Sequence, residues 1–72
     1  MGELTETERA ILDLEAKTYR RGAAKDERIR ADFAMTPPAY YQMLSALIDQ
    51  PAALAYAPMV VARLRRLRSA RR

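Results

Sequence analysis

The side chains best equipped for chemistry lie at the end of the chain. Arg63, Arg65, Arg66, Arg68, Arg71 and Arg72 fall within the last ten residues, with no acid among them. A guanidinium is a planar fork that meets phosphate oxygens two at a time. Residues 1–30 carry equal numbers of acidic and basic side chains, and residues 31–62 add only Asp32 and Asp49. The net charge of +4 therefore originates in the arginine tail. The chemistry this implies is contact with a phosphate backbone, which positions a protein without reading sequence. Two plainer readings compete: a solubilising tail, and cations that stabilise a helix C-terminus. Six arginines exceed what capping needs. A basic helix lying on a membrane is the weaker option, because its apolar stripe lacks Trp and Phe.

A second group is Tyr41, Gln42 and Ser45, with Pro38 and Ala39 beside them, on the stretch Pro37–Asp49. If that stretch is a DNA-reading helix, Gln42 can bond an adenine edge bidentately and Ala39 can meet a thymine methyl. Tyr41 could bond a phosphate or stack, and Ser45 would touch the groove. This helix holds no Lys or Arg. The competing reading has equal weight: a protein-contact surface, with Tyr40 in the core and Tyr41 and Met43 partly buried against a neighbour or partner.

Other chemistries are excluded by composition. The chain has no Cys and no His, so disulfides, thiolates and the usual zinc ligands are absent. There is no nucleophile with a base partner, no Gly-rich phosphate loop and no metal constellation, so neither an enzyme nor a cofactor is expected. No apolar run approaches the length of a membrane span. The first ten residues are polar and acidic, unlike a signal peptide. Glu6 stands where a myristoylation motif wants Ser or Thr. A cytoplasmic protein is expected.

The elements that must position these groups are all helical. Thr5 and Glu8 form a capping box that opens a first helix running to Tyr19, with Thr7 as a competing cap. Its apolar stripe is Ile11, Leu14 and Thr18, widened by Leu12 and Tyr19, leaving Glu8, Arg9, Asp13, Glu15 and Lys17 in water. Gly22 stops it. A second helix runs from Ala23 or Ala24 to about Ala34, with Lys25, Asp26, Glu27, Arg28 and Arg30 as its solvated face. Ile29 and Phe33 share its inner side. Thr36 caps the third helix, with Pro37 at its first position. Tyr40, Leu44 and Leu47 or Ile48 face inward. Gln50-Pro51 ends it, and Asp49 or Gln50 caps a short turn to about Tyr56. Pro58 opens the last helix, to about Ala70, with Val60, Leu64 and Leu67 as its stripe and Met59 and Val61 at the edge. No strand pattern appears. The fold class is all-α: a compact bundle of four to five short helices. Residues 1–62 form a helix-turn-helix bundle, and residues 58–72 a basic helix packed on the same domain.

Ile29, Phe33, Ala34, Met35 and Thr36 resemble the generic helix-turn-helix pattern of apolar, apolar, small, apolar and capping residues. The turn position is usually Gly, because it often needs positive φ; here it is Ala34. The run YYQMLSALIDQPAAL at Tyr40–Leu54, then Pro58-Met59-Val60-Val61 and the tail from Arg63, is similar to a family of small actinobacterial proteins classed as a domain of unknown function. Members carry two tryptophans late in the first helix, where Thr18 and Tyr19 stand here. The resemblance implies a helix-turn-helix fold and a tie to transcription.

Two functions follow. One is a DNA-binding regulator, with the tail on phosphates and Tyr41, Gln42 and Ser45 in the groove. The other is an interaction module on the transcription machinery, such as RNA polymerase or a partner regulator. A chain this small covers few base pairs, so a homodimer through the first or third helix is expected.

Overall fold

The structure is a computed structural model that describes residues 3–17 and 20–70. Five helices follow in order: α1 (Glu6–Lys17), α2 (Ala23–Phe33), α3 (Pro37–Leu47), α4 (Pro51–Tyr56) and α5 (Pro58–Ala70). No strand occurs among the described residues. The all-α bundle with a helix-turn-helix is as the sequence implies.

Side-chain caps open α1 and α3, and prolines open α4 and α5. The Thr5 amide donates to Glu8 Oε1 at 2.9 Å, and the Glu8 amide to Thr5 Oγ1 at 3.1 Å, so the capping box closes. Thr36 is extended and its hydroxyl accepts from the Ala39 amide at 3.3 Å, with Pro37 inside the first turn. Pro51 and Pro58 open α4 and α5. Gly22 is the N-cap of α2, and the expected continuation of α1 from Lys17 to Tyr19 lies outside the described residues.

The turn between α2 and α3 rests on Ala34, which takes the left-handed conformation at φ 54 and ψ 37. Its amide still reaches the Arg30 carbonyl at 3.0 Å. An L-residue there costs about 1 kcal/mol. Burial of Ile29 on one side of the turn and Tyr40 on the other holds it in place.

The core collects Ile11, Leu12 and Leu14 from α1, Ile29 from α2, Tyr40, Leu44 and Leu47 from α3, then Ile48, Ala53, Val60 and Val61. Phe33, Met35 and Leu64 pack against it. Val61 is fully buried rather than marginal, and Leu67 is about half exposed rather than part of the inner stripe. The first turn of α5 is buried at Val60 and Val61, and farther along the helix Arg65 and Arg68 bond the end of α3.

Two assignments of charged residues to solvent are overturned. Glu15 and Lys25 are 1% and 5% exposed, although one was placed on the wet face of α1 and the other on that of α2. They satisfy each other and Tyr40 inside the bundle, as described below. Thr18, Tyr19, Arg71 and Arg72 lie outside the described residues.

Candidate nucleic-acid interface

The presentation of α3 follows from its inner residues. Tyr40, Leu44 and Leu47 anchor it, so the positions between them are turned outward. Pro38, Ala39, Gln42, Met43, Ser45 and Ala46 are all exposed. The crest they form carries no charge. Gln42 stands on it, as the sequence implies. Ser45 stands at its edge, where its hydroxyl and carbonyl both receive Arg68 Nη1, at 3.4 and 3.0 Å.

Tyr41 is placed differently. It is half-buried, with its ring edge-on to Tyr40 at 5.0 Å between centroids. The Arg21 guanidinium lies 3.9 Å from its centroid and the Lys25 ammonium 5.7 Å. That is cation–π packing, a site that sequence inspection missed at Arg21. Tyr41 therefore belongs to the inner flank of α3 more than to its crest, in line with the partly buried alternative.

The inner flank is built on a buried polar trio. Glu15 Oε2 accepts from the Tyr40 hydroxyl at 2.6 Å and pairs with Lys25 Nζ at 2.8 Å. Burial, then the bond to Glu15, holds the Tyr40 hydroxyl protonated far above the ordinary tyrosine range. The trio joins α1, α2 and α3 in one interaction. A signal for it exists in the sequence. Glu15 sits four after Ile11, inside the apolar stripe of α1, and Lys25 sits four before Ile29, on the buried side of α2. Opposite charges at apolar register on two helices mark a buried pair.

The arginine tail proves to be largely committed. Arg63 Nη2 donates to the Glu15 carbonyl at 2.8 Å, in the last turn of α1. Arg65 Nε donates to the Ile48 carbonyl at 2.8 Å, at the end of α3. Arg68 takes the Ser45 carbonyl and a bidentate hold on Asp49, at 2.8 and 3.3 Å. The neighbouring carbonyls of Leu44, Ala46 and Leu47 are met by the amides of Ile48, Asp49 and Gln50. Arg68 therefore supplies the donor that the end of α3 lacks. Its guanidinium keeps the Asp49 carboxyl below the usual range. The tail arginines do stabilise helix C-termini, but those of α1 and α3 rather than their own. Of the six, Arg66 is exposed with no bond to the chain among the described residues.

Between α3 and α5 runs a cleft of about 290 Å³. Leu44, Ile48, Leu64 and Leu67 give its apolar lining, and Arg21, Lys25 and Arg68 its cations. Among the described residues no cluster of carboxylates could hold a metal ion, and no helix is long and apolar enough to cross a membrane.

No curated protein and no solved structure matches the chain. A family pattern matches residues 3–72, nearly its whole length, and carries the description "Protein of unknown function (DUF3263)". That match places the chain in the DUF3263 family.

Proposed function

We propose that the chain is a small DNA-binding transcription regulator of helix-turn-helix type. The observation that carries this reading is the turn itself: Ala34 in left-handed geometry, Thr36 capping α3, and the crest of α3 left uncovered. That is the arrangement by which a second helix enters a major groove. Gln42 is the foremost base-reading side chain. Ser45 can share its hydroxyl between Arg68 and a base. Arg66, Arg71 and Arg72 are the phosphate contacts of first choice. Arg63, Arg65 and Arg68 would reach a phosphate only by sharing donors with helix-end carbonyls. Tight binding would use a homodimer on two half-sites.

A second reading is favoured by the neutral crest. An uncharged surface with Met43 40% exposed suits a protein partner on the transcription machinery, RNA polymerase or another regulator.

The test is duplex-DNA binding by fluorescence anisotropy across salt concentrations. Deleting the whole tail is unsuitable, because Arg63 and Arg65 hold α5 to the bundle. The variant is therefore Arg66→Gln, Arg71→Gln and Arg72→Gln together. Three phosphate contacts give a slope of log K against log salt of roughly −3, and the triple variant flattens it towards zero. Gln42→Ala changes the ranking of DNA sites in the same assay. Absence of binding at low salt removes the DNA reading and leaves the protein partner.

A further inference from the structure

The cleft between α3 and α5 has features that neither DNA binding nor protein docking uses. Its lining combines a leucine-rich wall with three cations and the Glu15 carboxylate, and the cations are not equivalent. Lys25 is matched by Glu15 at 2.8 Å, and Arg68 by Asp49 at 2.8 Å. Arg21 has no carboxylate within ion-pair reach among the described residues; it rests on the Tyr41 ring. The site therefore offers one uncompensated positive charge at the Tyr41 end. From there the α3 wall runs through Leu44 and Ser45 to Ile48. From Tyr41 to Ile48 there are seven steps of ~1.5 Å, which make that wall about 10 Å long. Leu64 and Leu67 of α5 face it, and Leu67 remains about half exposed.

We propose that this cleft binds a medium-chain aliphatic carboxylate. Its head group lies at Arg21, and its chain lies between α3 and α5 against Leu44, Ile48, Leu64 and Leu67. Three observations select that ligand class. The single unmatched cation calls for a monoanion. The long apolar wall calls for an alkyl chain, because burying it removes apolar area from water on both partners. The volume of about 290 Å³ sits at the low end for small-molecule sites, which excludes a bulky ligand. A lone phosphate ion would leave the leucines wet. The occupied cleft would also hold α5 against α3, so the ligand would report on the same helix that carries Gln42. The binding itself does not depend on whether DNA is a partner.

The experiment is titration of the full chain with sodium octanoate, followed by methyl and aromatic proton–carbon NMR. The expected result is saturable shifts at Leu44, Ile48, Leu64, Leu67 and Tyr41, with Met59 on the exposed part of α5 unmoved. Arg21→Gln is at a solvent-exposed position. It weakens octanoate by roughly 10-fold, the scale of one charged hydrogen bond, and leaves octan-1-ol unchanged. Leu67→Ser weakens both ligands, which separates the apolar wall from the head-group contact. Three outcomes overturn the proposal: shifts that are scattered or never saturate, octanoate binding that ignores Arg21→Gln, and inorganic phosphate saturating the same resonances as tightly as octanoate. Circular dichroism of each variant confirms that the bundle is intact.

Discussion

Among the described residues, the ion pairs Lys25–Glu15 and Arg68–Asp49 share a 2.8 Å separation and have opposite surroundings. Lys25–Glu15 has side chains 3% and 1% exposed; Arg68–Asp49 has 34% and 59%. The buried pair lost its hydration on folding, so its members depend on each other and on Tyr40. The outer pair is screened by water, and a surface pair of this kind adds little. Equal geometry thus carries unequal energetic weight. The buried pair specifies how α1, α2 and α3 meet. The outer pair trims the end of α3, where Arg68 also serves the Ser45 carbonyl.

The largest expected effect comes from breaking the buried pair. Lys25→Met strands Glu15 beside one hydroxyl and costs about 3–5 kcal/mol. A domain of this length has only about 4–11 kcal/mol in total, so urea unfolding should show most of its stability gone. Replacing the trio together, Glu15→Leu with Lys25→Met and Tyr40→Phe, leaves no buried charge and should recover much of the loss. If the triple variant is as unstable as Lys25→Met alone, burial of unpaired charge is not the cause.

Tyr40→Phe comes next, at about 1–3 kcal/mol, because the Glu15 oxygen loses a buried donor. It also changes the alkaline limb. The Tyr40 pKa is raised in the folded state, so folding favours its protonated form. That stability is present below the ordinary value of about 10 and is lost as pH rises above it, where the unfolded chain releases its proton. Tyr56 is also raised, by its bond to Asp13, but at the surface; tyrosinate absorbance should show Tyr40 as the most delayed class, held back until unfolding, and Tyr40→Phe should remove it.

The smallest effect belongs to Asp49→Asn. The Asp49 carboxyl is lowered by Arg68, so its contribution is present above the ordinary value of about 4 and disappears as pH falls through the lower folded value. The stability difference from wild type should be slight at neutral pH, weaken with salt, and vanish in acid. A salt-independent difference as large as that of Lys25→Met would erase the distinction between the two pairs.

The helix-turn-helix itself was legible because its signals are local. Thr5 with Glu8, and Thr36, fix helix starts through hydrogen bonds a few residues long, while Pro37, Pro51 and Pro58 fix them through a preset φ and a missing N–H. The interior spacing of Tyr40, Leu44 and Leu47 fixes which side of α3 is inward, and hence that Gln42 is outward. The roles of Glu15, Lys25, Arg21 and the tail were harder to read. Residue type argued for water, and only register hinted otherwise. Arg63, Arg65 and Arg68 look identical to Arg66 in a basic run, yet they reach carbonyls 48, 17 and 23 residues away.

By itself the sequence determined the helices, their caps, the turn and the neutral character of the α3 crest, since each depends on neighbours within a turn or two. Tertiary structure alone decided which charges are spent inside the molecule. A helix end exposes carbonyls that need donors, and a buried carboxylate needs a cation. Which arginine or lysine meets each need depends on how α1, α2, α3 and α5 cross in space, and residue spacing along one helix does not encode that crossing.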